Sequence, residues 1–469
     1  MSRGAALSMI GILALGSTRL LYSVVVGRVD GKATLGTVNT AISFAMLATL
    51  FVSAGTGSAA AKFVAAAEGA GRRSEALGVS RTLGRWTALG TLVSVAGAAA
   101  LLPWTLRHVG AAISVTALAL LVAYAAYTFT KGLLYGFGRI RRYTVLEVCS
   151  DVAVLALTGG ALLLGRGWLV LPLVAGYAGF SLWAWLSRPK GAGTELALPR
   201  RREMRAFVLI AVIGTVTSTG FLQLSQLVAH RYGSRADAGL YAAALTLVTP
   251  AYFLPRALSV ALFPSMAGAF ARGQIETIRR QADLGTRIIA VGMLPLFAGA
   301  VFLAEPILHV FYGAGFAGGA VVLAVLLAAT YISVLPVSAV NSLSAVEAKY
   351  ARVTAYSSSA GLLVGVLWWL VLTPRQGVVA VAVGYLVGSL VQTGVPMAVA
   401  WRRYRLGWTG LSVRLAAGCT VVVAAAVILH REAGGLLPAA AAALVFAVGW
   451  CAVCRSDLRL LVERLPRRG

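Results

Sequence analysis

Long apolar stretches alternate with short polar ones from one end of the chain to the other. A bilayer's hydrocarbon core takes about 20 mostly apolar helical residues to cross. Runs of that kind recur at 5–26, 35–58, 86–104, 111–134, 145–164, 168–186, 207–230, 240–263, 288–304, 320–340, 354–373, 377–399, 415–430 and 436–453. The longest polar gaps, 59–85, 187–206 and 264–287, leave no room for a soluble domain. The pattern predicts an all-α integral membrane protein of about fourteen transmembrane helices. The first run, MSRGAALSMIGILALGSTRLL, has the outline of a signal peptide. It carries no A-x-A-like cleavage site and leads into a second span, so it is expected to remain as the first helix.

Composition supports this parse and adds an orientation. Apolar residues make up 59% of the 469 and charged ones 12%, about half the usual soluble fraction, with a mean hydropathy of +0.85. A soluble protein could not keep that much apolar surface from water. Lys and Arg number 41 against 15 Asp and Glu, a net charge of +26. In a soluble protein such an excess suggests nucleic acid. Here the basic residues sit in short loops between apolar runs, so no nucleic-acid partner is expected. With the N-terminus in the cytoplasm, inward segments hold 31 of the 41 and outward loops 8, leaving Arg19 and Arg256 inside helices. By the positive-inside rule both termini are cytoplasmic, in a multi-pass protein of the cytoplasmic membrane.

The four cysteines, Cys149, Cys419, Cys451 and Cys454, lie in or beside apolar runs. The CxxC of Cys451 and Cys454 lacks a second ligand pair, so no metal or redox role is expected. The tail after Cys454 places Leu458, Leu461 and Leu465 on one helical face with arginines elsewhere, which fits an interfacial helix or a basic disordered tail.

Two segments are weakly self-similar. After the first helix the chain reads GRVDGKATLGTVNTAISFAMLATLFVSAGTGSAAAKFV, and after the seventh HRYGSRADAGLYAAALTLVTPAYFLPRALSVALFPSMA. Each has a short basic outer loop, a glycine entering the next helix, and an apolar run ending in small residues. Two six-helix halves of one orientation follow, residues 1–206 and 207–414, with 415–469 adding two helices and a basic tail.

At these motifs the chain resembles the polysaccharide-export flippases of the multidrug/oligosaccharidyl-lipid/polysaccharide exporter superfamily. The stretches GRVDGKATLG and FVSAGTGSAAAKFVA resemble that family's first two helices, and AGLYAAALTLVTPAYFLPRALSVALFPSMA its eighth, with a GLY…A opening and an LFP exit. EPILHVFYGAGFAGGAVVLAVL and VLTPRQGVVAVAVGYLVGSLV resemble later segments in the same order. The resemblance covers most of residues 1–400. It implies two six-helix bundles in a V around a central cavity. It also implies outward flipping of a polyprenyl-pyrophosphate-linked oligosaccharide by alternating access, for cell-surface polysaccharide synthesis. The implied partners are membrane lipid, the glycan-lipid substrate and other polysaccharide-assembly proteins, and the chain is expected to be a monomer.

Several residues are candidates for that chemistry. Arg19 lies about fourteen residues, ~21 Å, into the first helix. A charge there costs about 2.5–3.5 kcal/mol on insertion scales, so it should face a wet cavity, a partner, or the outer interface by snorkelling. Its planar fork suits a pyrophosphate. Arg256 follows Pro255, with Pro250 before it. The prolines predict a kink and a hinge, and Arg256 a second anion contact, against snorkelling to the inner interface. Glu147 and Asp151 share one face at i, i+4. Asp151 would carry a coupling H+ or Na+, or pair with Lys131. No other cofactor is expected. Glu305 and His309 fall in a solvated outer loop.

Three rivals share parts of the pattern. A lipid II flippase fits the helix count. A multidrug antiporter of the same superfamily would favour intramembrane carboxylates over arginines in the first half. A membrane glycan polymerase needs a catalytic outer loop, and the outer loops here run only about three to fifteen residues. No P-loop is present, so the drive is an ion gradient, membrane potential or mass action.

Overall fold

The computed structural model describes residues 3–106, 109–189, 191–346, 348–432 and 435–464. Among the described residues every regular element is a helix. By internal contacts the chain divides into two units, Met1–Ala242 and Ala243–Gly469.

The first unit holds α1 (Arg3–Leu50), α2 (Ser53–Ala59), α3 (Ala65–Gly69), α4 (Arg73–Thr105), α5 (Ala111–Gly136), α6 (Ile140–Leu164), α7 (Leu171–Leu186), α8 (Leu198–Thr215) and α9 (Phe221–Tyr232). The chain leaves it within α10 (Arg235–Val248). The second unit holds α11 (Phe253–Ala271), α12 (Ile275–Phe302), α13 (Ala304–Tyr312), α14 (Ala320–Val334), α15 (Val337–Val346), α16 (Ala348–Tyr404), α17 (Thr409–Glu432), α18 (Leu436–Val453) and α19 (Arg455–Arg464). The helix pair α8–α9, placed by the sequence at the start of the second half, packs on α1 and α2 in the first unit.

Among the described residues, ten helical stretches are long and apolar enough to cross a membrane. Of these, Arg352–Tyr404 contains two of the predicted runs and Ser8–Leu50 most of two others. Their continuity is broken at Gly31 (φ 79°, ψ 178°) and Gly377 (φ 65°, ψ −150°), backbone positions that only glycine occupies without strain. The predicted run 168–186 is the shorter apolar helix α7. The run 240–263 is split between α10 and α11 by a 3-10 turn at Thr249–Tyr252. The surface is apolar where a soluble protein's would be polar: on α4, Leu89, Leu92 and Val93 expose 64, 68 and 72% of their area. A stripe of that kind at i, i+3, i+4 belongs against lipid tails.

Within the first unit α1 lies on α5, α6 and α9, α5 lies on α7, and α2 lies on α5 and α8. The helical path changes pitch twice in the first unit, once within the predicted run 207–230 and once just beyond the run 35–58. Single π turns, Ala60–Val64 and Val216–Gly220, interrupt α2–α3 and α8–α9. The start of α10 is fixed by its sequence. The Ser234 Oγ accepts from the Asp237 N–H at 3.1 Å, and the Asp237 carboxylate accepts from the Ser234 N–H at 3.0 Å, a reciprocal cap. Directly beyond it the two glycines that open the self-similar segments face one another. A Cβ on Gly36 would come within 2.6 Å of the Gly239 nitrogen, and one on Gly239 would strike the Lys32 carbonyl. Buried Gln226 closes the same corner, donating to the Thr40 hydroxyl (3.3 Å) and the Ala238 carbonyl (3.1 Å).

The second unit is built on α12, which α11, α14, α15, α17, α18 and α19 all touch. Of the two extra helices, α18 is seated on it by aromatic groups. The Trp450 indole donates to the Val291 carbonyl at 3.0 Å, and Phe446 meets Phe302 edge-on at 6.2 Å. The tail is helical over α19 and docks through a carboxylate. Asp457, 1% exposed, is clamped between Arg287 and Arg414, the latter at 2.6 Å. Arg287 also holds Asp283 at 2.9 Å, and Asp283 accepts from the Trp408 indole at 2.8 Å. Of the leucine face predicted for this tail, Leu458 is half-buried, and the side chains of Leu461 and Leu465 lie outside the described residues. The stretch carrying Glu305 and His309 is a helix, α13, rather than a loop. Both side chains are exposed on it, as expected.

Candidate functional site

Four membrane helices of the first unit, α1, α5, α6 and α7, converge on a polar cluster. Along α6, Tyr143, Glu147 and Asp151 follow one another at four-residue steps, and all three are buried on the face turned to the other helices. From α5 the Tyr127 hydroxyl donates to Glu147 Oε1 at 2.6 Å. One turn further along α5 the Lys131 ammonium donates to the Tyr127 hydroxyl at 3.0 Å and lies over the rings of Tyr143 (5.0 Å) and Tyr127 (5.3 Å). Tyr177 of α7 completes the wall, its ring 4.8 Å from Tyr127 and 5.0 Å from Tyr124. From α1, Thr18 lies beside Asp151. Arg19 follows it, half-buried, within electrostatic range of Tyr22 and Tyr177.

The sequence treated Arg19 and the carboxylate pair as separate candidates. The fold brings them together: Arg19, Glu147 and Asp151 all act on the Tyr177 hydroxyl. Lys131, the proposed partner of Asp151, donates to Tyr127, which in turn donates to Glu147, and its charge acts on both acids. Glu147 Oε2 and Asp151 Oδ2 are buried and accept no hydrogen bond from a described residue. A buried carboxylate oxygen in that position binds a proton or a cation, or is exposed by a change of packing. The tyrosines went unremarked in the sequence, yet their signal was there. Tyr124, Tyr127 and Lys131 lie at i, i+3 and i+7 on one face of α5, opposite an acid ladder of the same pitch on α6.

In the second unit the two prolines mark the break expected of them. Pro250 sits in the 3-10 turn between α10 and α11, and Pro255 is buried in the first turn of α11. Arg256 belongs to α11, and its side chain lies outside the described residues. One turn along, the Ser259 hydroxyl donates to Asn341 Oδ1 at 3.1 Å. Farther along α12 and α14 lies an apolar cavity of about 580 Å³, walled by Phe302, Ala324, Val325, Val422 and Val427 with Glu305 and Arg431 at its rim. Cys451 is exposed and Cys454 buried, and burial raises the Cys454 thiol above its ordinary value, which leaves it a poor nucleophile.

Comparison with known proteins agrees with this architecture. The family model described as "Lipid II flippase MurJ" matches residues 191–434, and that described as "Polysaccharide biosynthesis protein" matches residues 2–270. No curated protein sequence matches the chain. Among solved structures the fold is similar to a lipid II flippase MurJ in an inward closed conformation. The TM-score is 0.72 at 11% identity, over 97% of this chain and 99% of that one. It is also similar to an inward-facing multidrug resistance MATE family transporter of the MOP superfamily, with a TM-score of 0.67 at 13% identity over 83% and 94%. A third similarity is to a MOP superfamily transporter from Pyrococcus furiosus, with a TM-score of 0.63 at 15% identity over 86% and 94%. At these identities the structures speak for the fold.

Proposed function

Because the chain belongs to the multidrug/oligosaccharidyl-lipid/polysaccharide exporter superfamily of transporters, we propose that it flips a polyprenyl-pyrophosphate-linked oligosaccharide from the inner to the outer leaflet of the cytoplasmic membrane. The chain is a multi-pass membrane protein whose families are transporters, not enzymes. The observation that carries the reading of its cargo is Arg19. A guanidinium stands half-buried well inside a membrane-crossing helix, and among the described residues it has no ion-pair partner. A cationic fork held there is suited to a phosphate diester or pyrophosphate passing through, because its donors match the oxygens in pairs. Arg256 is the second contact in this reading, with the Pro250–Pro255 break as the flexing element. The apolar cavity of the second unit suits the isoprenoid tail of such a cargo.

A second reading has its own support. The lipid II flippase fold is matched over 99% of its length, the extra helices included. Lipid II carries the same pyrophosphate on the same kind of tail, so the Arg19 argument serves both, and only the glycan separates them. The buried Glu147–Asp151 pair is the feature a cation antiporter would use. Here it is assigned to ion coupling, with Asp151 carrying H+ or Na+ because one of its oxygens is buried without a partner.

The test is export of lipid-linked sugar by Arg19 variants at equal protein level. Arg19→Gln should lower it at least about tenfold, the loss of a charge-assisted contact, while Arg19→Lys keeps part of it. A snorkelling arginine predicts full activity for Lys and near-full for Gln, and that pattern would remove the anion role.

A further inference from the structure

A second cationic site lies where α6 begins, one to three turns before the carboxylates and on the exposed side of the helix. Where the helix begins, Arg139, Arg141 and Arg142 line a cavity of about 500 Å³ together with Val145, Leu146 and Trp183. The arginines are positioned rather than splayed. Arg139 and Arg142 each donate one N–H to the same carbonyl, that of Ser187, at 2.5 and 3.1 Å. A guanidinium has five N–H donors, so both forks keep donors for a further acceptor.

The charge is unbalanced in this pocket. The first turn of α6 holds no acid, and no ion pair reaches the three arginines from a described residue. Burial, then the neighbouring Arg142 and Arg73, pull the Arg139 guanidinium below its ordinary value, and the only acid acting against them, Glu68, acts least. Three cations crowded at a helix N-terminus oppose the helix dipole, which favours an anion there. The other wall is apolar. Trp183 and Val145 are exposed, Val148 and Leu182 continue that exposed surface along α6 and α7 away from the arginines, and exposed Leu186 lies beside Ser187 at the arginine level.

We propose that this pocket binds the phosphate of an anionic phospholipid of the surrounding bilayer. The arginines hold the headgroup, Trp183 sits at the glycerol level, and the acyl chains run down the apolar flank. A membrane-interface pocket with a basic floor and an apolar outer wall matches such an amphiphile better than a free anion, which would leave the apolar wall unused. The site stands on its own geometry and is independent of which cargo the protein moves.

The experiment uses the purified full-length protein in nanodiscs of phosphatidylcholine, with or without phosphatidylglycerol. Retained phosphatidylglycerol is counted by native mass spectrometry and the melting temperature is followed. Wild type should retain phosphatidylglycerol and melt higher in its presence. Arg141→Gln with Arg142→Gln should melt as wild type does in phosphatidylcholine alone, yet retain phosphatidylglycerol at least about tenfold more weakly. The corresponding double Lys variant should lie between, because a point charge replaces a fork. Inorganic phosphate and a polyprenyl pyrophosphate supply the two other sources of the same chemistry, and neither should displace the phospholipid. Equal retention by wild type and the Gln variant would overturn the proposal. Displacement by inorganic phosphate would make the pocket a simple anion site, and displacement by polyprenyl pyrophosphate would make it a cargo site. Either result also overturns it.

Discussion

At the scale of single residues, the ion coupling proposed for the first unit rests on Asp151. Its Oδ2 and the Oε2 of Glu147 are buried without a hydrogen bond from a described residue, but the two acids are not equivalent. Glu147 is tied to Lys131 through the Tyr127 hydroxyl, whereas Asp151 has Thr18 beside it. Removing a member of a satisfied network costs about 1–3 kcal/mol, while replacing an acid that cycles an ion leaves folding nearly intact. Asp151→Asn is therefore expected to abolish the dependence of export on an imposed H+ or Na+ gradient while the melting temperature stays close to wild type. Tyr127→Phe should do the reverse and lower the melting temperature. Gradient-dependent export surviving in Asp151→Asn would end the coupling role. The acids and Arg19 were visible in the sequence because charges stand out in apolar helices. Their assembly was not, because it depends on which faces of α1, α5, α6 and α7 meet, and tyrosines in a membrane helix carry no such contrast.

Among the elements, the tail helix shows where packing overrides composition. The sequence suggested a leucine face on headgroups or a loose basic tail, and α19 is a helix docked by Asp457 between Arg287 and Arg414. An acid at i+3 after a CxxC has no sequence signal that distinguishes it from a solvated one, since its two arginines come from α12 and α17. Breaking a buried pair by removing one partner costs about 3–5 kcal/mol, because the other charges stay behind. Asp457→Ala should release α19, seen as faster hydrogen exchange over 455–464, and should lower the melting temperature. Protection of those residues equal to wild type would show that the leucines, not the carboxylate, hold the helix. The spans themselves were legible from hydropathy. What escaped was local: α13 is too short for a hydropathy window, the π turn at Val216–Gly220 leaves the apolar pattern unchanged, and that at Ala60–Val64 lies in a helical stretch read as a polar gap. The break between α10 and α11, by contrast, could be read from Pro250 and Pro255.

For the molecule as a whole, charge distribution predicts the orientation, and reporter fusions test it. Fusions at Gly110, Gly165, Gly233 and Gln376 should report the extracytoplasmic side. Fusions at Gly71, Gly191, Gly273 and the C-terminus should report the cytoplasm, and an interior site of opposite sign would remove a crossing from the path. The central claim is that the protein carries a pyrophosphate-linked glycan lipid across the bilayer with Arg19 as a contact. It is tested most directly by reconstituting the purified protein into vesicles that hold a fluorescent polyprenyl-pyrophosphate oligosaccharide, with lipid II in parallel vesicles. The fraction reaching the far leaflet is then measured with a membrane-impermeant quencher or lectin. The account predicts rapid loss of protection with wild type for one of the two cargoes and a rate at least about tenfold lower with Arg19→Gln. Movement of both cargoes no faster than in protein-free vesicles, under an imposed ion gradient as well as without one, would contradict it.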